Sequence, residues 1–127
     1  MGNGKKNGWE GRGHHKLEAW KRSRELVLSI YTLTQNFPKE EMFGLTSQMR
    51  RAAVSIPSNI AEGAARTGDK EFAQFLNIAR GSLSELETQL LIASDLGYIK
   101  RNDPVFEVVD LVSRLITGLH KTVRQQS

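Results

Sequence analysis

The chain has 127 residues and no cysteine, with 39% hydrophobic and 25% charged residues. This length and composition are typical of one ordinary globular domain. Without cysteine the chain has no disulfide, no thiolate metal ligand and no cysteine nucleophile. No apolar run reaches the roughly 18–20 residues of a membrane-spanning helix, so we expect no membrane partner and take the cytoplasm as the default compartment.

The net charge of +4 is divided evenly between a short N-terminal segment and the rest of the chain. Residues 1–15 carry +2, because Lys5, Lys6 and Arg12 outweigh Glu10. The same segment has five glycines and almost no apolar residues, so we expect a disordered basic arm ahead of a domain formed by residues 16–127. The mild basic bias of that domain permits nucleic-acid binding without requiring it.

Helical periodicity begins at Leu17. Apolar residues then recur at spacings of three and four as far as residue 37, which predicts a first helix that ends before Pro38. The next stripe predicts a second helix, with Thr46 as its candidate cap and Pro57 in its middle. Because proline removes a backbone donor and clashes with the preceding turn, we predict that the second helix kinks or breaks at Pro57.

The third helix is predicted to carry two apolar stripes. Its main stripe, within residues 72–93, follows a strict heptad spacing. A second stripe beside it consists of Phe75, Ile78, Ile92 and Leu96. A four-helix bundle buries one stripe on each helix, so the second stripe predicts contact with another surface, such as a second copy of the chain.

The last helix is predicted from its boundaries and from its period. Gly97 is the expected stop of the third helix, Asp103 the cap of the fourth and Pro104 its first residue. Its many β-branched residues would suit a strand, but the period and the length favour a helix. Four helices with short connectors predict an all-α fold, an antiparallel up-down-up-down four-helix bundle.

Two segments are more specific than a heptad pattern: SIPSNIAEG at residues 55–63 and ARGSLSELETQL at residues 79–90. With KLEAWKRSREL at residues 16–26, they resemble the family of small four-helix-bundle proteins encoded in intervening sequences of bacterial 23S rRNA genes. The resemblance covers about residues 16–120. It implies a homo-oligomeric ring, with five protomers as the family's expected state, no catalysis, and a proposed role in binding RNA or DNA.

Two alternatives to this function stay open. A distant branch of similar bundles is the accessory protein of diversity-generating retroelements and binds a reverse transcriptase and its RNA through a basic surface. The resemblance therefore implies that partner as well, although such a factor is expected to be more basic than this domain. The other alternative is a protein-interaction adaptor without nucleic acid, whose acidic third helix docks a basic partner.

The candidate phosphate contacts are basic residues of the first two helices. They are Lys21, Arg22, Arg24, Arg50, Arg51 and Arg66. Nucleic-acid binding needs several such side chains on one accessible face, and adjacent antiparallel helices would bring Arg22 and Arg50 to one face. The alternative is a solvated surface of ion pairs, such as Glu62 with Arg66 at i,i+4.

The SIPSNIAEG segment joins a proline to polar residues in the middle of a helix. The resemblance marks Ser55, Pro57, Asn59, Glu62 and Gly63 as positions of the family motif. Asn59 adjoins the buried stripe, so it needs hydrogen-bond partners inside the bundle or across a subunit contact. We interpret the segment as setting the bend and the oligomer contact, with a ligand or nucleic-acid site as the alternative.

Gly81 and Glu85 of the third helix are further candidates for an oligomer contact. A small residue such as Gly81 allows close approach of another helix. Glu85 lies in the second stripe, so it either pairs with an arginine of a facing helix or stays exposed.

The sequence gives no support for catalysis, and we predict no enzyme activity, no metal and no cofactor. Di-iron bundles need Glu-x-x-His pairs, which are absent, and the histidines are only His14, His15 and His120. There is no glycine-rich phosphate loop and no set of nucleophile, base and orienting residue.

Overall fold

A computed structural model describes residues 17–126. The helices are α1 (Glu18–Thr34), α2 (Leu45–Ala64), α3 (Asp69–Asp95) and α4 (Val105–Gln126), with a short 3-10 turn at Lys39–Glu41. No strand occurs within these residues. The expected arm at residues 1–15, and the outermost residues of the domain predicted at 16–127, lie outside the described part.

The four helices form a closed cycle of neighbours. α1 packs against α2 and α4, and α3 packs against the same two helices, whereas neither diagonal pair approaches closely. Connectors of four to ten residues make consecutive helices run in opposite directions. The all-α four-helix bundle predicted from the sequence is confirmed.

The stop at Gly97 and the cap at Asp103 form as predicted, but α4 begins at Val105 rather than at Pro104. Gly97 has a φ of +85°, and the N–H of Tyr98 donates to the carbonyl of Ala93 at 2.9 Å. This geometry closes α3 with a Schellman motif, in which glycine supplies the left-handed residue. At the start of α4, the Asp103 carboxylate accepts the N–H of Val105 at 2.9 Å.

The cap predicted for α2 is wrong. The helix already begins at Leu45, so Thr46 lies inside it, buried. The free N–H of Leu45 instead donates to one carboxylate oxygen of Glu41 at 3.2 Å. The other oxygen of Glu41 accepts the hydroxyl of Tyr98 at 2.9 Å, so this carboxylate ties the start of α2 to the α3–α4 connector.

α2 continues without interruption through Pro57, so the predicted break does not occur; a kink stays a prediction. Pro57 is buried, and packing against neighbouring helices supplies most of a helix's stability, which offsets one missing backbone hydrogen bond. Nearby side chains add bonds along the same turns. Ser58 Oγ donates to the Val54 carbonyl and Asn59 Nδ2 to the Ser55 carbonyl, both at 2.8 Å.

The core contains apolar side chains from all four helices. The largest fully buried ones are Leu26, Ile30, Met49, Ile56, Ile60, Leu76, Leu86, Leu90 and Ile116. All of them belong to the predicted main stripes. Phe72, at the start of the predicted main stripe of α3, is only half-buried, whereas the polar Gln89 and His120 are buried.

Candidate nucleic-acid interface

The first two candidate cations on α1 are engaged in surface ion pairs. Lys21 Nζ lies 3.7 Å from Glu18, while Arg22 lies 3.5 Å from Glu18 and 3.1 Å from Glu25. Exposed pairs of this kind contribute little to stability. They nevertheless reduce the local positive potential, so Arg22 is a weaker candidate for a phosphate contact than the sequence alone suggested.

Arg24 is exposed and has no carboxylate partner within the described residues. Its guanidinium lies 4.7 Å from the centre of the Trp20 ring. Lys21 and Arg24 line one groove between α1 and α2, which also includes Val54. The cation therefore lies beside an accessible surface.

Arg50 has an internal structural role. Its Nε donates to Thr34 Oγ1 at 2.9 Å, an Nη donates to the Tyr31 carbonyl at 3.5 Å, and the guanidinium lies 4.5 Å from the Tyr31 ring. The last turn of α1 has no basic residue of its own. Arg50 of α2 therefore supplies the cation that a helix C-terminus favours.

Arg51, the next residue, is exposed and free of ion pairs within the described part of the chain. Arg50 and Arg51 line a second groove on the α1–α2 side, which also includes Phe43 and Val54. Val54 belongs to both grooves. The structure thus places Lys21, Arg24, Arg50 and Arg51 along one face, which we call the α1–α2 face.

Arg66 lies outside that face, near the C-terminus of α2. It pairs with Glu62 at 2.9 Å, as the salt-bridged alternative predicted, and its guanidinium lies 5.0 Å from the Phe75 ring. Arg22 lines neither groove of the α1–α2 face. The structure therefore brings four of the six candidate cations together and leaves these two apart.

The polar residues of the SIPSNIAEG segment bond within the protomer. Asn59 Nδ2 donates to Ser55 Oγ at 2.9 Å, and Ser55 Oγ lies 2.8 Å from Ser82 Oγ of α3. The expected partners of Asn59 are therefore present inside the bundle. Gly63 lies against α3, where a Cβ atom would come 2.7 Å from the Cβ of Phe75.

The two remaining candidates for an oligomer contact face outwards. A Cβ on Gly81 would meet no atom within 4 Å, so no helix of the described protomer requires a glycine there. Glu85 is exposed and accepts one long hydrogen bond, from Gln89 at 3.4 Å. Within the described residues it pairs with no arginine.

Large apolar side chains are exposed on α1, α2 and α3 and in their connectors. They are Leu28, Tyr31, Met42, Phe43, Val54, Ile78, Leu91, Ile92 and Leu96. Three of the four residues of the second stripe of α3 are exposed, because Ile78 is 50% exposed, Ile92 43% and Leu96 54%, whereas Phe75 is half-buried. α4, described from Val105 to Gln126, has no exposed large apolar side chain.

Among the described residues, Phe43 is the most exposed large apolar side chain, at 95%. The sequence interpretation did not single it out, although an aromatic residue in a connector between two helices was an available signal. It lines the groove that also contains Arg50 and Arg51.

His120 was also missed. It is only 8% exposed, and its Nε2 is buried without a hydrogen-bond partner in the described structure. The pKa of His120 is lowered, chiefly because burial disfavours the charged imidazolium, and the nearby Arg80 and Arg124 add to this effect. The sequence did contain a signal for this burial, because His120 lies four residues after Ile116, on the apolar stripe of the last helix.

Neither a metal centre nor a membrane span is found in the described part of the chain. No three His, Cys, Asp or Glu side chains within residues 17–126 are placed to hold a metal ion. None of the helices there is both long and apolar enough to cross a bilayer.

Comparison with known proteins supports the resemblance seen in the sequence. A family described as 23S rRNA-intervening sequence protein matches residues 15–118. The fold is similar to the crystal structure of a protein of unknown function from the S23 ribosomal protein family of Bacteroides thetaiotaomicron, with a TM-score of 0.74 and 24% identity over 81% of this chain and 95% of that chain. No curated protein matches significantly. The chain belongs to the family of 23S rRNA-intervening sequence proteins.

Proposed function

We propose that this protein is a non-catalytic, cytoplasmic four-helix bundle that assembles into a homo-oligomeric ring and binds RNA or DNA. The observation that carries the proposal is the uncovered apolar surface of α1–α3 and their connectors, with Phe43 at 95% exposure. Large exposed apolar patches mark interaction sites, because burying them removes apolar area from water.

The apolar residues lie on two different surfaces, which favours a ring. One surface is the α1–α2 face with Phe43, and the other is the second stripe of α3 with Ile78, Ile92 and Leu96. A contact between two unlike surfaces is heterologous, and heterologous contacts close into rings when the rotation permits. Five protomers is the number that the family resemblance implies.

The end of the α1–α2 face away from Phe43 also supports the nucleic-acid role, because the proposed ring contact leaves that end open. Arg24 lies there without a carboxylate partner in the described structure, Lys21 lines the same groove, and Arg51, likewise unpaired, lies in the groove that borders it. In a ring, each cation is repeated around the axis, so a mild charge on each protomer adds up to a larger positive field. Phosphate contacts would then release counterions and bind in a salt-dependent manner.

Assembly is tested by light scattering coupled to gel filtration at micromolar concentration and physiological salt. We expect the wild type to be oligomeric, and Phe43→Glu and Ile92→Glu to lower the mass, because each places a charge in an apolar contact. Ser113→Glu on the polar face of α4 is the matched control and should keep the wild-type mass. A wild-type protein that runs as a monomer would overturn the ring.

Nucleic-acid binding is tested with a random RNA at two salt concentrations. We expect binding that weakens steeply with salt, and a smaller salt slope in the Arg24→Gln, Arg51→Gln double variant, because the slope reports phosphate contacts. Arg22→Gln is the control, since Arg22 already pairs with two carboxylates. Absence of binding at low salt would overturn this role and favour the adaptor.

A further inference from the structure

A second cluster of cations lies on the opposite part of the molecule, between α3 and the last turns of α4. Arg80, His120, Lys121 and Arg124 line a groove of about 470 Å³ together with two neutral residues of α4. No carboxylate lines this groove. None of the candidate phosphate contacts taken from the sequence belongs to it.

The two arginines and the lysine of this groove are not neutralised within the described structure. Arg80 donates only to the amide oxygen of Asn77, at 3.3 Å, and neither Lys121 nor Arg124 forms an ion pair with any described carboxylate. Glu87 and Asp110 line the adjoining groove, which shares Arg80, but neither carboxylate forms an ion pair with it in the described structure. The groove therefore has an uncompensated positive potential.

His120 provides an independent observation at the same place. Its Nε2 is buried without a partner, although nearly all buried polar atoms in folded proteins are hydrogen-bonded. Arg80 of α3 and Arg124 of α4 line the same groove as the imidazole, and both contribute to lowering its pKa. The negative end of the α4 dipole favours Lys121 and Arg124, but it does not explain Arg80, which α3 contributes to the same groove.

We propose that the groove formed by Arg80, His120, Lys121 and Arg124, which we call the α3–α4 groove, binds a phosphate group. Arginine and lysine donate charge-assisted hydrogen bonds to phosphate oxygens, and an anion at the groove favours the protonated imidazole. The exposed apolar residues lie on α1–α3 and their connectors, so the groove stays accessible in the proposed ring. The phosphate could belong to a nucleic acid, in which case the inference rests on the proposed function. It could equally belong to a free phosphate compound, in which case it does not.

The experiment is a titration of the full chain with inorganic pyrophosphate and, separately, with single-stranded RNA, followed by amide NMR shifts and by affinity. We expect pyrophosphate to shift amides near residues 80 and 117–125 and RNA to shift the same set. Arg124→Gln and Lys121→Gln should each weaken pyrophosphate binding about tenfold, the loss expected for one charge-assisted hydrogen bond. Arg114→Gln, an exposed cation on the same helix outside the groove, should change the affinity less than about twofold.

The outcomes separate this inference from the proposed function. Pyrophosphate binding at the groove without RNA binding supports the groove with a free phosphate compound as ligand, and overturns the nucleic-acid role. RNA binding that shifts only the α1–α2 face, together with no pyrophosphate shift near residues 80 and 117–125, overturns the groove and leaves that role intact. Binding of neither probe, or equal weakening by Arg114→Gln, also overturns the groove.

Discussion

Gly63 lies so close to Phe75 that a Cβ atom at position 63 would come 2.7 Å from the Cβ of Phe75. The same atom would lie 3.0 Å from Phe72 Cδ1 and 3.3 Å from the Phe72 carbonyl oxygen. A Cβ and a carbonyl oxygen move only with the backbone, so α3 must shift if position 63 has a side chain. The glycine of the SIPSNIAEG segment therefore sets the distance between α2 and α3.

Gly63→Ala should destabilise the protein by about 1–3 kcal/mol, the cost of overpacking a well-packed contact. The higher helix propensity of alanine offsets at most about 1 kcal/mol of this loss. Gly118→Ala is the matched control, because Gly118 is also within a helix but has open space around it. Urea unfolding at a fixed protein concentration measures both, and equal stability of the two variants would contradict the role given to Gly63.

Arg50 and Arg51 are adjacent in sequence but differ in what they contact. Arg50→Ala should lower the free energy of unfolding by about 1–2 kcal/mol, because it removes hydrogen bonds of a charged donor at the end of α1 and the stacking on Tyr31. Arg51→Ala should change the free energy of unfolding by less than about 0.5 kcal/mol, because the Arg51 side chain is exposed and forms no ion pair in the described structure. The comparison is made by chemical denaturation, and a larger loss in Arg51→Ala would refute the assignment.

Periodicity predicted the four helices because each main stripe had to be buried against its neighbours, as Leu26, Ile56, Leu86 and Ile116 now are. The break at Pro57 was wrong because local chain preference yields to tertiary packing along a helix that is held by its neighbours. The pattern of residue types therefore predicts where the helices lie better than it predicts whether a helix is interrupted.

The candidate site was less predictable than the fold. A sequence shows which residues are cationic, but it did not reveal that Arg50 bonds to Thr34 or that Arg22 pairs with both Glu18 and Glu25. Arg80 and Arg124 are far apart in the sequence, and the antiparallel packing of α3 and α4 brings them to one groove. The electrostatic potential of a site depends on which charges pair and which helices are neighbours, and hydrophobic periodicity contains neither.

The hydrogen bond from Tyr98 to Glu41 predicts an alkaline loss of stability. The pKa of Tyr98 is raised from its ordinary value of 10.0, first because its hydroxyl donates to Glu41 and then because of burial. A raised pKa means that the contribution to stability is complete below pH 10.0 and is lost as the pH rises through the higher folded-state pKa. The stability difference between wild type and Tyr98→Phe should therefore shrink above that pH.

The Tyr98 prediction is checked by urea unfolding at a series of alkaline pH values. Tyr31→Phe is the control, because the hydroxyl of Tyr31 has no hydrogen bond within residues 17–126 and its removal should change stability by less than about 0.5 kcal/mol. A difference between wild type and Tyr98→Phe that stays constant with pH would show that the hydroxyl of Tyr98 does not carry this dependence.

His120 predicts a loss of stability on the acid side. Its pKa is lowered from 6.5, mainly by burial and further by Arg80 and Arg124, so the unfolded chain takes up a proton below pH 6.5 that the folded chain resists. The free energy of unfolding should therefore be largest above pH 6.5 and should fall as the pH drops toward the folded-state pKa. Lys121 of the same groove adds to the positive surroundings of the imidazole.

His120→Gln should remove this slope between about pH 7.5 and pH 5.5, whatever its effect on absolute stability, because glutamine does not titrate. Thermal or urea unfolding across that range measures the slope for both proteins. Added pyrophosphate should flatten the slope of the wild type, since an anion in the α3–α4 groove favours the imidazolium and raises the folded-state pKa. A slope that is equally steep in wild type and His120→Gln would show that another group carries the acid dependence.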